Sequence, residues 1–145
     1  MYQLLYVSRA RPDLDMKGLR KILETARAVN AEHDITGVLL LIEGKFLQVL
    51  EGERRDVEKI YFKIEADGRH TDVETLLSQE IAGRDYGDWR MGFDHLSSED
   101  AEAADIFQIA GATASKAAPP GAAPELLTLL RDFYATHGER IDRVA

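Results

Sequence analysis

The apolar positions of this chain change period several times, and each change marks an element. Gln3 to Ser8 has the length and β-rich content of a strand, closed by the breaker Arg11, Pro12 and Asp13. From Met16 to about Glu32, Leu19, Ile22, Leu23 and Ala26 recur at helical spacing behind Asp15, a natural N-cap. Two strands follow, Thr36–Ile42 and Lys45–Leu50, joined at Glu43 and Gly44 as a tight hairpin. A second helix is expected from Arg54 to Asp67, with Val57, Ile60, Tyr61 and Ile64 as its inner stripe. Asp72–Ile81 and Trp89–Phe93 read as two further strands.

The order β-α-β-β-α-β-β contains the split βαβ of ferredoxin-like sheets, so the expected class is α+β. In that topology the first and third strands are central neighbours and both helices cover one face. The place of the added fifth strand is not given by the pattern. Past Phe93, residues 98–110 look helical, 111–124 are rich in Ala, Gly and Pro like a linker, and Glu125–His137 is amphipathic. Two C-terminal helices are therefore expected on the sheet face opposite the first pair. The organisation expected is a domain over 1–95 with a helical extension over 96–145.

Charge and composition remove several function classes. A net charge of −8 without a dense Lys/Arg block argues against direct nucleic-acid binding, which needs a basic footprint. The chain has no cysteine, so disulfides and thiolate chemistry are excluded, and the four histidines show no metal-ligand spacing. The longest apolar run, Val38–Ile42, is far too short for a membrane span, and the N-terminus lacks the features of a signal peptide. A cytoplasmic protein is the expectation. Phosphate-binding glycine loops and nucleophile elbows are missing from the sequence.

What remains is a set of polar residues on apolar faces. By the two-residue period Tyr6 shares a face with Leu4, and Gln48 with Phe46 and Leu50, on strands expected to be neighbours. A carboxamide both donates and accepts, so Gln48 can relay between a phenol and a polar heterocycle. Asn30 continues the first helix's stripe, and Asp67 follows Ile60 and Ile64 on the second. Two apolar walls ending in an amide and a carboxylate suit a flat ligand with an apolar ring system and a polar edge. Each residue alone has an ordinary structural explanation; their convergence on one face of one sheet does not.

The fragments YVSRA at 6–10, Ala26–Arg27 with Asn30, ITG at 35–37, FLQVLEG at 46–52, DGRH at 67–70 and RDYGDWRM at 84–91 together resemble the BLUF family, sensors of blue light using FAD. The resemblance covers about residues 1–95. It implies a flavin, FAD with FMN or riboflavin as alternatives, held between the two helices. Gln48 would bridge Tyr6 and the flavin, Asn30 and Asp67 would meet its polar edge, and Ile22 and Ile64 would wall its ring. Arg69 and His70 would lie toward the ribityl and phosphate portion, and Arg27 falls within the matched fragments as a further cofactor-binding candidate. It also implies light sensing without turnover: electron and proton transfer from Tyr6, a changed hydrogen bonding of Gln48, and relay through Trp89 or Met91. Two-residue spacing puts Trp89, Met91 and Phe93 on one strand face. The output would be a protein partner, with self-association an additional expectation. The stretch from Asn30 to Asp34 is more acidic than the resemblance leads one to expect. The rival reading is an acylphosphatase-type enzyme with Arg27 and Asn30 on a phosphate, for which the sequence offers no anion cradle.

Overall fold

A computed structural model of the chain describes residues 1–42, 44–87, 89–96, 124, 125, 127–130 and 132. The elements are β1 (Tyr2–Ala10), α1 (Met16–Glu32), β2 (Thr36–Ile42), β3 (Lys45–Gly52), α2 (Arg54–Glu65), β4 (His70–Glu80) and β5 (Arg90–Leu96). They form one sheet of order β4-β1-β3-β2-β5. β1 runs antiparallel to both β3 and β4, and β3 antiparallel to β2, which is the ferredoxin-like arrangement. β5 extends the sheet at the far edge, parallel to β2.

Local chemistry accounts for the element ends. The Asp15 carboxylate accepts from the Gly18 amide at 2.7 Å and caps α1, a contact of about 1 kcal/mol. Gly44, at φ +75°, supplies the positive φ of the two-residue connection between Ile42 and Lys45. α2 stops at Glu65, two residues before the expected Asp67. Past the helix, the Asp67 side chain accepts from the Arg69 amide at 3.0 Å, an Asx turn that competes with continued helix. β4 starts at His70 instead of Asp72, with irregular pairing to β1 between Val7 and Arg9 and with Asp72 at φ +55°.

The sheet is apolar on both sides. Leu4, Tyr6, Leu39, Phe46 and Leu50 face α1 and α2, where Leu19, Leu23, Val57 and Ile60 cover them. Leu5, Val7, Val38, Leu40, Leu47 and Val49 face the other way, against Tyr86, Leu127 and Leu130. Alternate residues of β1 and β3 thus feed two separate cores, which is why these strands read as near-continuous apolar runs. Leu127 and Leu130 lie among the described helical residues, so part of the expected final helix does cover the second face. The Tyr86 hydroxyl donates to the Leu127 carbonyl at 2.5 Å. The expected helix over 98–110 and the linker after it lie outside the described residues.

The largest departure from the sequence pattern is at β5. Gly37 pairs with Arg90 but Val38 pairs with Gly92, so Met91 is an extra residue in the ladder, a β-bulge with φ +151°. Trp89 precedes the strand instead of opening it. The bulge breaks the two-residue alternation, and the two side chains end on opposite faces. Met91 packs in the core beneath the helices, while Trp89 packs with Tyr86 on the other side, ring centroids 6.2 Å apart. Gly37, at φ +156°, lies opposite the bulge; a Cβ there would come within 1.8 Å of the Val49 carbonyl oxygen. Only glycine fits.

Candidate functional site

Between α1, α2 and the centre of the sheet lies a cavity of about 190 Å³. Its floor is Tyr6 on β1, Leu39 on β2, and Phe46 and Gln48 on β3. One wall is Ile22, Thr25, Ala26, Val29 and Asn30 of α1, the other Ile60, Lys63 and Ile64 of α2, with Asp67, Arg69 and His70 beyond that helix.

The floor carries a line of polar contacts. Tyr6 and Gln48 are directly paired across β1 and β3, and the Tyr6 hydroxyl donates to Gln48 Oε1. Burial pushes the phenol far above its ordinary pKa, and Tyr61 and Asp67 push it the same way. Tyr6 therefore stays a protonated donor. The other end of the carboxamide meets Met91, with Gln48 Nε2 3.2 Å from the sulfur. A thioether can only accept, so the NH₂ group is the end that faces it.

The rim is held by charge and by a fixed histidine. Arg69 donates through Nε and an NH₂ group to both Asp67 oxygens, at 2.5 to 3.0 Å. These bonds hold the Asp67 carboxyl below its ordinary pKa, against partial burial. His70 Nε2 lies 2.6 Å from the Ile64 carbonyl, which only accepts, so Nε2 carries the proton. In the neutral ring Nδ1 then accepts from Ser8 Oγ at 2.8 Å. The ring packs edge-on against Tyr6 and Phe46.

Asn30 is different. It is 2% exposed, and its Nδ2 has no hydrogen-bond partner among the described residues. A buried, unpaired amide costs about 1–3 kcal/mol, so its place on the cavity wall marks where a ligand's acceptor belongs. A flavin fits this donor set: carbonyl acceptors on one ring edge for Asn30, and apolar walls for the fused rings.

Tyr6, Ile22, Asn30, Gln48, Ile64, Asp67, Arg69 and His70 all line the cavity. Arg27 does not. Its Nε and an NH₂ group donate to the Met91 carbonyl at 3.2 and 3.0 Å, which also separates it from Asn30 as a phosphate-binding pair. Sequence reasoning passed over Thr25, Val29 and Lys63. Helical spacing could have found them, since 22, 25, 26, 29 and 30 share one face of α1, and 60, 63 and 64 one side of α2. Among the described residues no His, Asp or Glu cluster could hold a metal, and no helix is long and apolar enough to cross a membrane.

A ferredoxin-like sheet with an apolar slot between its helices, floored by a buried phenol–carboxamide pair, defines a binding module for a flat ligand. The family model described as BLUF, sensors of blue-light using FAD, matches residues 1–92, and the chain belongs to that family. It is 39% identical over 89 residues to the photoactivated adenylate cyclase subunit beta of Euglena longa, a match covering 61% of this chain and 10% of that protein. It is 34% identical over 84 residues to the blue light- and temperature-regulated antirepressor BluF of Escherichia coli K12, covering 58% of this chain and 21% of that one. The chain thus spans about a tenth of the length of the cyclase relatives. Among solved structures, BlrB, described as a BLUF protein in its dark state, is similar at 26% identity and TM-score 0.73, over 93% of this chain and 95% of that one. BlsA in its photo-activated state is similar at 25% identity and TM-score 0.76, over 90% and 94%. The BLUF domain is a flavin-binding sensor domain, not a catalytic one, although some relatives join it to cyclases.

Proposed function

We propose that Tyr6 and Gln48 are the photoactive pair of this sensor, and that the cavity between α1 and α2 holds the isoalloxazine ring of FAD. The observation that carries this reading is the Tyr6–Gln48–Met91 line on the cavity floor beside the unpaired Asn30 amide. When bound, the flavin supplies blue-light absorption and a ring able to accept an electron. The rest belongs to the chain. Tyr6 is buried and protonated, with its O–H aimed at Gln48, so it can give up an electron and a proton together. The carboxamide has a donor end and an acceptor end, and can exchange them by rotating or by adopting its imidic form. Either change moves a hydrogen-bond donor relative to the cavity and shifts the absorption to the red. The electron and the proton then return to Tyr6, and the switch that remains is a change of bonding pattern around an oxidised ring.

Asn30 binds the polar edge of the ring, Ile22 and Ile64 flank it, and Asp67, Arg69 and His70 hold the rim. FAD is favoured over FMN or riboflavin by the family's description. The sensor domain is taken to end near residue 95, and the extension passes the signal to a protein partner in the cytoplasm. That route is supported by the contact of Leu127 and Leu130 with the sheet face opposite the cavity. The relatives named as a cyclase subunit and an antirepressor are consistent with protein outputs.

The test is optical. Purified protein is expected to be yellow and to shift reversibly to the red under blue light. Tyr6→Phe should keep the flavin and lose the shift. A colourless protein that takes up no flavin refutes the reading, and a normal shift in the variant refutes the role of Tyr6.

A further inference from the structure

Met91 holds a costly backbone shape. At φ +151° it occupies a region that residues other than glycine rarely adopt, and such a shape persists only when its surroundings enforce it. Two sets of contacts do so. On the sheet side the Gly37 amide donates to the Trp89 carbonyl at 2.9 Å, just before the bulge. On the helix side the Arg27 guanidinium donates twice to the Met91 carbonyl, at 3.2 and 3.0 Å. Charge-assisted bonds of this kind are the stronger class, and two hydrogen bonds from one planar group fix direction as well as distance. The consequence lies on the other side of Met91. With its carbonyl turned to Arg27, its sulfur lies 3.2 Å from Gln48 Nε2.

That sulfur can tell the two ends of the Gln48 carboxamide apart. It accepts from the NH₂ group but gains nothing from the oxygen, since both are then acceptors. The present orientation, Oε1 to Tyr6 and Nε2 to Met91, is thus favoured over the exchanged one. We infer that Arg27 is a positioning residue: by holding the Met91 carbonyl it keeps the bulge that aims the sulfur at Gln48, and so shortens the lifetime of the light-adapted state. This rests on the reading that Gln48 exchanges its donor and acceptor ends after light.

Arg27→Leu removes the donors and keeps an apolar stem, and Arg27→Lys restores one charged donor. The first readout needs no light. The Met91 methyl resonance, assigned by its loss in Met91→Leu, should move in Arg27→Leu and return toward its original position in Arg27→Lys. The second is thermal recovery after illumination, expected to slow about three- to tenfold in Arg27→Leu. In the Met91→Leu background the same substitution should change recovery less than about twofold, because no sulfur is left to aim. An unmoved methyl resonance overturns the inference, as does an equal slowing in both backgrounds. A wild-type protein with no light response overturns the sensor reading and the lifetime claim with it; the methyl resonance then decides separately whether Arg27 places Met91.

Discussion

Glu51→Gln alters one atom in the most demanding polar site outside the cavity. Glu51 is fully buried on the sheet face away from the helices, and three donors converge on its carboxylate. The Tyr86 amide reaches Oε1 at 2.7 Å; the Asp85 amide at 3.0 Å and Gln3 Nε2 at 2.8 Å reach Oε2. A carboxamide has one oxygen. Its least costly placement puts NH₂ at the Oε1 position, keeping two bonds without their charge and setting two donors against each other at Tyr86. Hydrogen bonds to charged groups contribute about 1.5–3 kcal/mol, and a buried donor left unpaired costs about 1–3 kcal/mol. The expected loss is about 3 kcal/mol, against the roughly 5–15 kcal/mol usual for a native protein. Urea unfolding followed by far-ultraviolet dichroism should show the midpoint falling by about 1.5–2 M at unchanged slope. The flavin absorption should stay as it was, since Glu51 faces away from the cavity. A midpoint lowered by less than about 0.3 M would show that the three donors find other partners, and would refute the reasoning.

Three shorter predictions follow from other parts of the fold. Asn30→Ala removes the amide that lacks a partner and should weaken flavin binding about 5- to 30-fold, read from the quenching of flavin fluorescence on titration. Gly37→Ala forces a Cβ to within 1.8 Å of the Val49 carbonyl and should cost about 3 kcal/mol or more, seen as a lowered melting temperature or insoluble expression. For Asp67 the folded-state pKa is depressed by Arg69, so the pair's contribution is fully present above the unfolded value of about 3.9 and is lost as pH falls through the lower, folded value. The melting-temperature difference between wild type and Arg69→Met should therefore be constant from pH 5 to 7 and close below about pH 4. A difference independent of pH would assign the effect of Arg69 to packing.

The sheet was legible because its strands alternate between two cores. Tyr6 and Gln48 could be placed face to face from the two-residue period and the expected strand order alone. Helix faces were legible in part: Asn30 and Asp67 stood out as polar ends of apolar stripes, whereas Lys63 reads as an ordinary surface cation until the cavity is seen. The position of β5 was not legible, because a parallel edge strand leaves no mark in its own pattern. Nor was the separation of Trp89 from Met91. It depends on an extra residue opposite Gly37, and periodicity assumes no extra residue. Arg27 was assigned to the ligand by resemblance, but a side chain of that length on α1 can turn to β5, and only the bulge carbonyl shows that it does.

The Tyr86 hydroxyl grips the C-terminal segment at a backbone carbonyl, that of Leu127. Every residue has such a carbonyl, so this bond does not read the side chain at its far end. What the second core asks of the segment besides is an apolar residue at 127 and again at 130, one helical turn along. The strands that floor the cavity on one face also make the bed for this segment on the other, each face using its own alternate residues.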